Sequence, residues 1–138
     1  MITAIDTNVL LDILIPNPGF CDGAAAAIED SAAAGSLVVC DLVYAELCFA
    51  FPSQQACDEF LEDNGIRVES LTRATHFAAS RAWRQHRRQG GTRTRILAGF
   101  LVGAHAQLQA NRLLSRDRGF YRKLFPSLKL IAPRPARA

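Results

Sequence analysis

Short apolar runs that alternate with helical segments constrain the fold of this chain more than any other feature. Residues 2–5 (ITAI), 37–40 (LVVC) and 112–115 (RLLS) are nearly continuous apolar runs, as expected of strands buried on both faces. Residues 66–69 (IRVE) and 128–131 (LKLI) are two further candidate strands. Because helical segments separate these runs, the sequence predicts an α/β layered fold with a mostly parallel sheet of about five strands.

The predicted helices are bounded by capping and helix-ending residues. Asp41 is expected to cap one helix, and Ser53 is expected to open another that closes at Asn64 and Gly65. The predicted helices cover residues 7–15, 21–34, 42–50, 54–63, 72–89 and about 95–110.

The composition is that of one globular domain. The chain has 138 residues, of which 49% are hydrophobic, and residues 1–132 are expected to form a single unit followed by a flexible tail over 133–138. No apolar run approaches the ~20 residues of a membrane helix. The N-terminal segment lacks the basic region of a signal peptide, so we expect a cytoplasmic protein with no membrane partner. The four cysteines lack metal-site spacing and are expected to be free thiols.

Charge is strongly segregated along the chain. Residues 1–66 contain eleven acidic residues and no Lys or Arg, whereas residues 67–138 contain all sixteen basic residues and two acids. A compositional bias with solvated faces explains a preference for arginine over lysine, but it does not explain the segregation. A guanidinium-rich half suits phosphate contacts, which favours nucleic acid as a partner. An acidic half suits a metal site or a basic partner.

Two carboxylates follow predicted strands. Asp6 comes directly after the first strand and Asp117 follows RLLS by one residue, and ligands of parallel α/β folds bind at the carboxyl ends of strands. Carboxylates brought to one sheet edge repel each other, and a bound cation removes that repulsion. The alternative for each aspartate is a helix N-cap, which is the simpler explanation of Asp41.

Glu46 is a third candidate ligand. It lies in the almost unbroken apolar run LVYAELCFA, with no Lys or Arg within twenty residues. A glutamate in such a helix is costly unless it is paired or ligated, so a partner is expected from the basic half or from a metal. Together with Asp6 and Asp117 it offers the oxygen ligands that Mg²⁺ or Mn²⁺ prefers.

Four blocks in order resemble PIN-domain nucleases, specifically the VapC-type toxins of type II toxin–antitoxin modules. The blocks are AIDTNVLLDIL, VYAELCFAF, RILAGFLVGAHA and LLSRDRGFY, and they span nearly the whole chain. The resemblance implies a PIN-like, Rossmann-like three-layer sandwich. It also implies cleavage of RNA with Mg²⁺ or Mn²⁺ to 5′-phosphate and 3′-hydroxyl ends, a cognate VapB-like antitoxin, and a homodimer.

The resemblance also implies roles for individual residues. Asp6, Glu46 and Asp117 match the metal-site carboxylates, which makes them the candidate catalytic residues. Asn8 and Ser115 match positions that support such a site by hydrogen bonding. The apolar stretches 42–51 and 56–61 are either core or an exposed groove for an antitoxin helix.

Gly99 departs from the family pattern, which has an aspartate at that position. One interpretation is close helix packing, since Gly103 lies four residues further on. The interpretation we favour is a lost ligand, because aspartate suits the first turn of a helix better than glycine. This sequence is therefore expected to have reduced or lost ribonuclease activity. The alternative function is a non-catalytic PIN domain that binds RNA or an antitoxin.

Arginines flank the candidate site, and two other enzyme classes fit poorly. Surface solvation and RNA phosphate binding are both open for the flanking residues Arg93, Arg95, Arg116 and Arg118. A phospho-receiver domain needs adjacent acids after its first strand or in an early loop, and a well-placed late lysine. A haloacid-dehalogenase-type phosphatase needs two aspartates one residue apart, where this chain has Asp6 and Asn8.

Overall fold

The sheet has five strands that all pair in parallel. The structure, a computed structural model, describes residues 1–91 and 97–136. The strands are β1 (Ile2–Ile5), β2 (Ser36–Cys40), β3 (Ile66–Glu69), β4 (Arg112–Leu114) and β5 (Leu130–Ile131). Their order across the sheet is β3-β2-β1-β4-β5. The predicted fold class is therefore confirmed.

Seven helices connect the strands within the described residues. They are α1 (Thr7–Leu14), α2 (Cys21–Ala34), α3 (Asp41–Cys48), α4 (Gln54–Asp63), α5 (Arg73–Arg88), α6 (Ala98–Gln109) and α7 (Arg118–Leu124). The six predicted helices are confirmed within the described residues, although α3 ends two residues earlier than expected. The predicted start of the sixth helix, at residues 95 and 96, lies outside the described residues. The short helix α7 was not predicted.

The strand order places a topological switch between β1 and β4. The chain moves outward from β1 to β2 and β3, and then crosses back over β1 to β4 and β5. Because such crossovers are right-handed, α1–α4 cover one face of the sheet and α5–α7 cover the other, which makes three layers. Ligands of open parallel sheets bind where the strand order switches. The ends of β1 and β4 are therefore the expected place for a site.

Ser53 is confirmed as a helix cap, Thr72 is a cap that was not predicted, and the prediction for Asp41 is wrong. Ser53 caps α4 by accepting from the amide of Ala56, and Thr72 caps α5 by accepting from the amide of Thr75. The prediction that Asp41 is an N-cap is wrong, because Cys40 occupies that position and Asp41 begins the helix. The negative charge of Asp41 in the first turn still interacts favourably with the helix dipole and so stabilises the helix.

The chain after β5 contacts α2 and the loop before it. The backbone of Arg134 packs against Gly23, and the amide of Ala136 donates a 2.7 Å hydrogen bond to the carbonyl of Gly19. The domain boundary at 132 and the flexibility of 133–138 stay predictions. Within residues 1–91 and 97–136, no helix has the length and apolar character needed to cross a membrane.

Candidate active site

A cleft of about 330 Å³ opens at the carboxyl ends of β1 and β4. It brings together the three predicted carboxylates, the glycine at 99 and one predicted supporting residue. Its lining is Asp6, Thr7, Asn8, Leu11, Glu46, Ala98, Gly99, Val102, Asp117 and Tyr121. Residues from the turns after β1 and β4 and from α1, α3, α6 and α7 therefore meet at the switch in strand order.

Asp6 is the buried carboxylate of the cleft and is held by several donors. Its amide extends the β1–β4 pairing through a 2.9 Å hydrogen bond to the carbonyl of Leu114. Oδ1 accepts from the amide of Thr7 at 2.8 Å, which also caps α1. Oδ2 accepts from the hydroxyls of Ser115 at 2.8 Å and Tyr121 at 2.9 Å. The N-cap and cleft interpretations of Asp6 are thus compatible.

Burial and hydrogen bonding act in opposite directions on the pKa of Asp6, whereas both raise the pKa of Tyr121. Burial raises the pKa of Asp6 above its ordinary value, and the charge of Asp117 adds to that rise, while the bonds from Ser115, Tyr121 and Thr7 lower it. Burial, followed by the charge of Asp6, raises the pKa of Tyr121. Tyr121 therefore stays a protonated hydrogen-bond donor to the carboxylate.

Ser115 and Asn8 link α1 to the turn that carries Asp117. The amide group of Asn8 donates to Oγ of Ser115 at 3.3 Å, and the backbone amide of Asp117 donates to the same oxygen at 3.0 Å. The Asn8 side-chain oxygen accepts from the amide of Arg116 at 3.1 Å. These bonds fix the turn between β4 and α7, and so they position the exposed Asp117 at the cleft.

Glu46 reaches the cleft from α3, but its surroundings differ from those expected. Its side chain is exposed, and Oε1 accepts a 2.8 Å hydrogen bond from the hydroxyl of Thr7. The partner in this contact comes from the acidic half, so the expectation of a partner from the basic half is wrong here, and ligation of a metal stays a prediction. Val43 and Leu47, one turn before and one residue after Glu46, are buried in the core, whereas Glu46 itself faces solvent.

The donor set suits a hard divalent cation, but the acids are not preassembled as a tight cluster. Among residues 1–91 and 97–136, no three His, Cys, Asp or Glu side chains are grouped closely enough to hold a metal ion. Asp6, Glu46 and Asp117 nevertheless line the same cleft with oxygen ligands. Mg²⁺ is commonly held by one or two carboxylates, with waters and substrate phosphates completing its coordination. The residues fit such an open site.

Gly99 lies in the cleft and against an aromatic ring. A Cβ atom at this position would come 2.6 Å from Cε1 of Phe120, which is closer than side chains pack. A Cβ atom at Gly103, one turn later on α6, would likewise come 2.4 Å from Cε2 of Phe125. The structure thus supports the close-packing interpretation of Gly99, while its place in the cleft leaves the lost-ligand interpretation a prediction.

The four arginines named as RNA contacts fall into three groups. Arg93 and Arg95 lie outside the described residues. Arg118 is exposed at the start of α7. Arg116 makes two bonds to the buried Asp12, from Nε at 2.7 Å and from an amino nitrogen at 3.0 Å, and its guanidinium lies 4.3 Å from the ring centre of Phe20. Arg116 therefore has a structural partner, and RNA contact at each of these positions stays a prediction.

Sequence reasoning missed two residues of the site. Thr7 holds Glu46, and Tyr121 holds Asp6. Tyr121 lies four residues after Asp117, so a helix beginning at Arg118 brings it back to the cleft. A prediction of helix α7 would have placed Tyr121 at the cleft.

The fold and the cleft together define a class: a parallel α/β domain with an acidic site at the carboxyl edge of its sheet, beside the switch in strand order. The model of the PIN domain family matches residues 3–125, and the chain belongs to that family. No curated protein matches the sequence significantly.

Solved structures of similar fold include VapBC proteins, FitAcB and a toxin–antitoxin complex from Klebsiella pneumoniae. VapBC2 from Rickettsia felis, bound to a DNA fragment from their promoter, has a TM-score of 0.72 and 18% identity over 96% of this chain and 99% of that chain. VapBC-1 from nontypeable Haemophilus influenzae has a TM-score of 0.70 and 19% identity, with coverages of 96% and 98%. FitAcB from Neisseria gonorrhoeae has a TM-score of 0.62 and 17% identity, with coverages of 95% and 96%. At these identities the similarity is one of fold.

Proposed function

We propose that this PIN domain is the toxin component of a toxin–antitoxin module and a Mg²⁺- or Mn²⁺-dependent endoribonuclease of the cytoplasm. The observation that carries the proposal is the meeting of Asp6, Glu46 and Asp117 in one cleft at the switch in strand order. The structural neighbours include VapBC proteins, and this similarity supports the assignment to a toxin–antitoxin module.

In this proposal each cleft residue has a defined part. Asp6, Glu46 and Asp117 hold the divalent cation, which when bound activates water and stabilises charge on the scissile phosphate. Tyr121 and Ser115 hold the Asp6 carboxylate in place through Oδ2. Thr7 orients Glu46 toward the cleft through its 2.8 Å hydrogen bond.

The antitoxin is expected to be a VapB-like protein that covers apolar surface near the cleft. Most of residues 42–51 and 56–61 pack in or against the core, which favours the core interpretation of those stretches. Phe49 is the exception, because its side chain is 90% exposed at the end of α3, three residues from Glu46. A partner that covers Phe49 removes its ring from water. A homodimer is part of the same proposal.

Glycine at position 99 favours a second candidate function, a non-catalytic PIN domain that binds RNA or an antitoxin. The cleft lacks a carboxylate at this position, and the ring of Phe120 lies where a side chain would begin. In the first proposal the same feature reduces the activity of this sequence without abolishing metal binding.

Cleavage of a labelled RNA separates the two candidates. The parent protein, Gly99→Asp, Gly99→Ala and Gly99→Asp with Phe120→Leu are incubated with RNA and Mg²⁺ or Mn²⁺. We expect the aspartate variants to cleave faster than the parent, with the Phe120→Leu background the fastest because the ring no longer blocks the carboxylate. Gly99→Ala controls for the added Cβ and is expected to gain nothing.

Asp6→Asn in the most active background tests the carboxylate site itself. The proposal requires at least a hundredfold loss of cleavage, because the buried ligand is lost. Equal cleavage with and without Asp6 contradicts it. Calorimetric titration with Mn²⁺ gives the second measurement: the absence of heat at high protein concentration in the parent and in Gly99→Asp favours the non-catalytic candidate.

A further inference from the structure

The solvent face of α5 carries arginines and aromatic rings and no acid. The helix contains five arginines and two histidines in 16 residues. Phe77, Arg81, Arg84 and Arg88 follow one another at steps of four and three, so they share one face of the helix. Phe77 is 61% exposed, which is unusual for a phenylalanine without a partner surface.

Guanidinium groups on this helix are already arranged around aromatic rings. The guanidinium carbon of Arg81 lies 4.8 Å from the ring centre of Phe77, and that of Arg87 lies 5.8 Å from the ring of Trp83. A second surface cleft, of about 520 Å³, is lined by Ser80, Trp83, Arg84, Arg87 and Arg88. Positive charge and flat apolar rings thus occupy the same surface.

The C-terminal end of α5 lies on the same end of the molecule as the carboxylate cleft. The ring of His86 is 5.7 Å from that of Phe100, which is in turn 5.6 Å from that of Phe120. Phe120 packs against Gly99, which lines the carboxylate cleft. Two ring contacts, followed by the packing of Phe120 on Gly99, therefore join the C-terminal turn of α5 to the edge of the candidate active site.

We propose that the exposed face of α5 is a docking surface for single-stranded RNA that enters the carboxylate cleft. The inference rests on the proposed function and extends it to residues outside the cleft. Arg84, Arg87 and Arg88 would contact phosphates, and unpaired bases would stack on Trp83 and Phe77. An acidic protein surface would complement the charge of the arginines only. RNA offers phosphates to the arginines and bases to the rings.

RNA binding in the absence of metal tests this surface separately from cleavage. A fluorescein-labelled single-stranded RNA of about 12 nucleotides is titrated with protein in EDTA, and anisotropy is followed at several salt concentrations. The test variant is Arg84→Gln with Arg87→Gln and Arg88→Gln. The control is Arg67→Gln with Lys129→Gln and Arg134→Gln, which removes the same charge from exposed positions outside α5. Circular dichroism confirms that both variants fold.

The expected result is a loss of affinity confined to the α5 variant. At about 0.1 M salt it should bind about tenfold more weakly than the parent, and the slope of log affinity against log salt should fall by about 2, because three phosphate contacts are lost. The control triple should stay within about twofold of the parent. Equal losses in the two triples would show only a general charge effect and would overturn the inference.

Trp83 supplies an independent signal, because it is the one tryptophan of the chain. Stacking of a base on its ring should quench its fluorescence on RNA addition, and unchanged emission at saturation contradicts the inference. A change in sedimentation of the α5 triple with unchanged RNA affinity would assign the face to contact with another protein chain instead. RNA binding through α5 with no cleavage by any variant would overturn the proposed nuclease and leave this surface intact.

Discussion

The hydroxyl of Tyr121 donates a 2.9 Å hydrogen bond to Oδ2 of Asp6, so a residue of α7 holds the carboxylate that ends β1. Both side chains are almost fully buried. The bond joins segments on the two sides of the strand-order switch, and it supplies a donor where burial disfavours a negative charge. Tyr121 is therefore a positioning residue of the proposed metal site.

Removal of that hydroxyl should change the titration of Asp6. In Tyr121→Phe the carboxylate loses a donor that lowers its pKa, so we expect the pKa of Asp6 to rise further above its ordinary value. Carboxyl NMR titration of the metal-free protein measures the shift. Tyr44→Phe removes a hydroxyl that donates to Asp58 at 2.6 Å outside the cleft, and it should leave Asp6 unchanged.

The raised pKa of Asp6 also predicts a pH-dependent stability. The folded protein holds the Asp6 proton more tightly than the unfolded chain, so the contribution is full below the ordinary value of 3.8 and is lost as pH rises through the raised pKa. Asp6→Asn carries no charge, so its free energy of unfolding relative to the parent should increase as pH rises from about 4 to 7. Denaturant unfolding across that range measures it, and a pH-independent difference contradicts it.

The two glycines of α6 should respond differently to alanine. Phe120 is only partly buried and can turn outward, so Gly99→Ala should change the free energy of unfolding by less than about 1 kcal/mol, with the gain in helix propensity offsetting the contact. Phe125 is buried, so Gly103→Ala should destabilise the protein by about 1–2 kcal/mol through overpacking. Chemical denaturation compares them, and equal effects would contradict the packing argument.

Removal of Arg116 and removal of Arg118 should have different effects on the free energy of unfolding. Arg116→Ala leaves the carboxylate of Asp12 without its cation, and we expect a loss of about 2 kcal/mol, less than for a fully buried pair because the Arg116 side chain is 33% exposed. Arg118→Ala should change stability by less than about 0.5 kcal/mol. Thermal and denaturant unfolding measure both. A stable Arg116→Ala protein would show that Asp12 finds another partner.

The strand ends could be predicted from the sequence because continuous apolar runs mark buried parallel strands. From those strand ends alone, Asp6 and Asp117 are expected at one edge of the sheet, where the structure has them. The bond from Thr7 to Glu46 could not be predicted, because it depends on how α1 packs against α3. Helix α7 was missed because its seven residues are too few for a helical period to emerge.

The contact between Gly99 and Phe120 has a consequence for how this sequence can change. A single codon replacement introduces an aspartate, but its Cβ first meets an aromatic ring at 2.6 Å. On the proposed function, an aspartate at 99 gains cleavage by itself, and a smaller residue at 120 increases that gain because the ring no longer meets the new side chain. The two positions are therefore coupled, and the size of each step depends on which residue changed first.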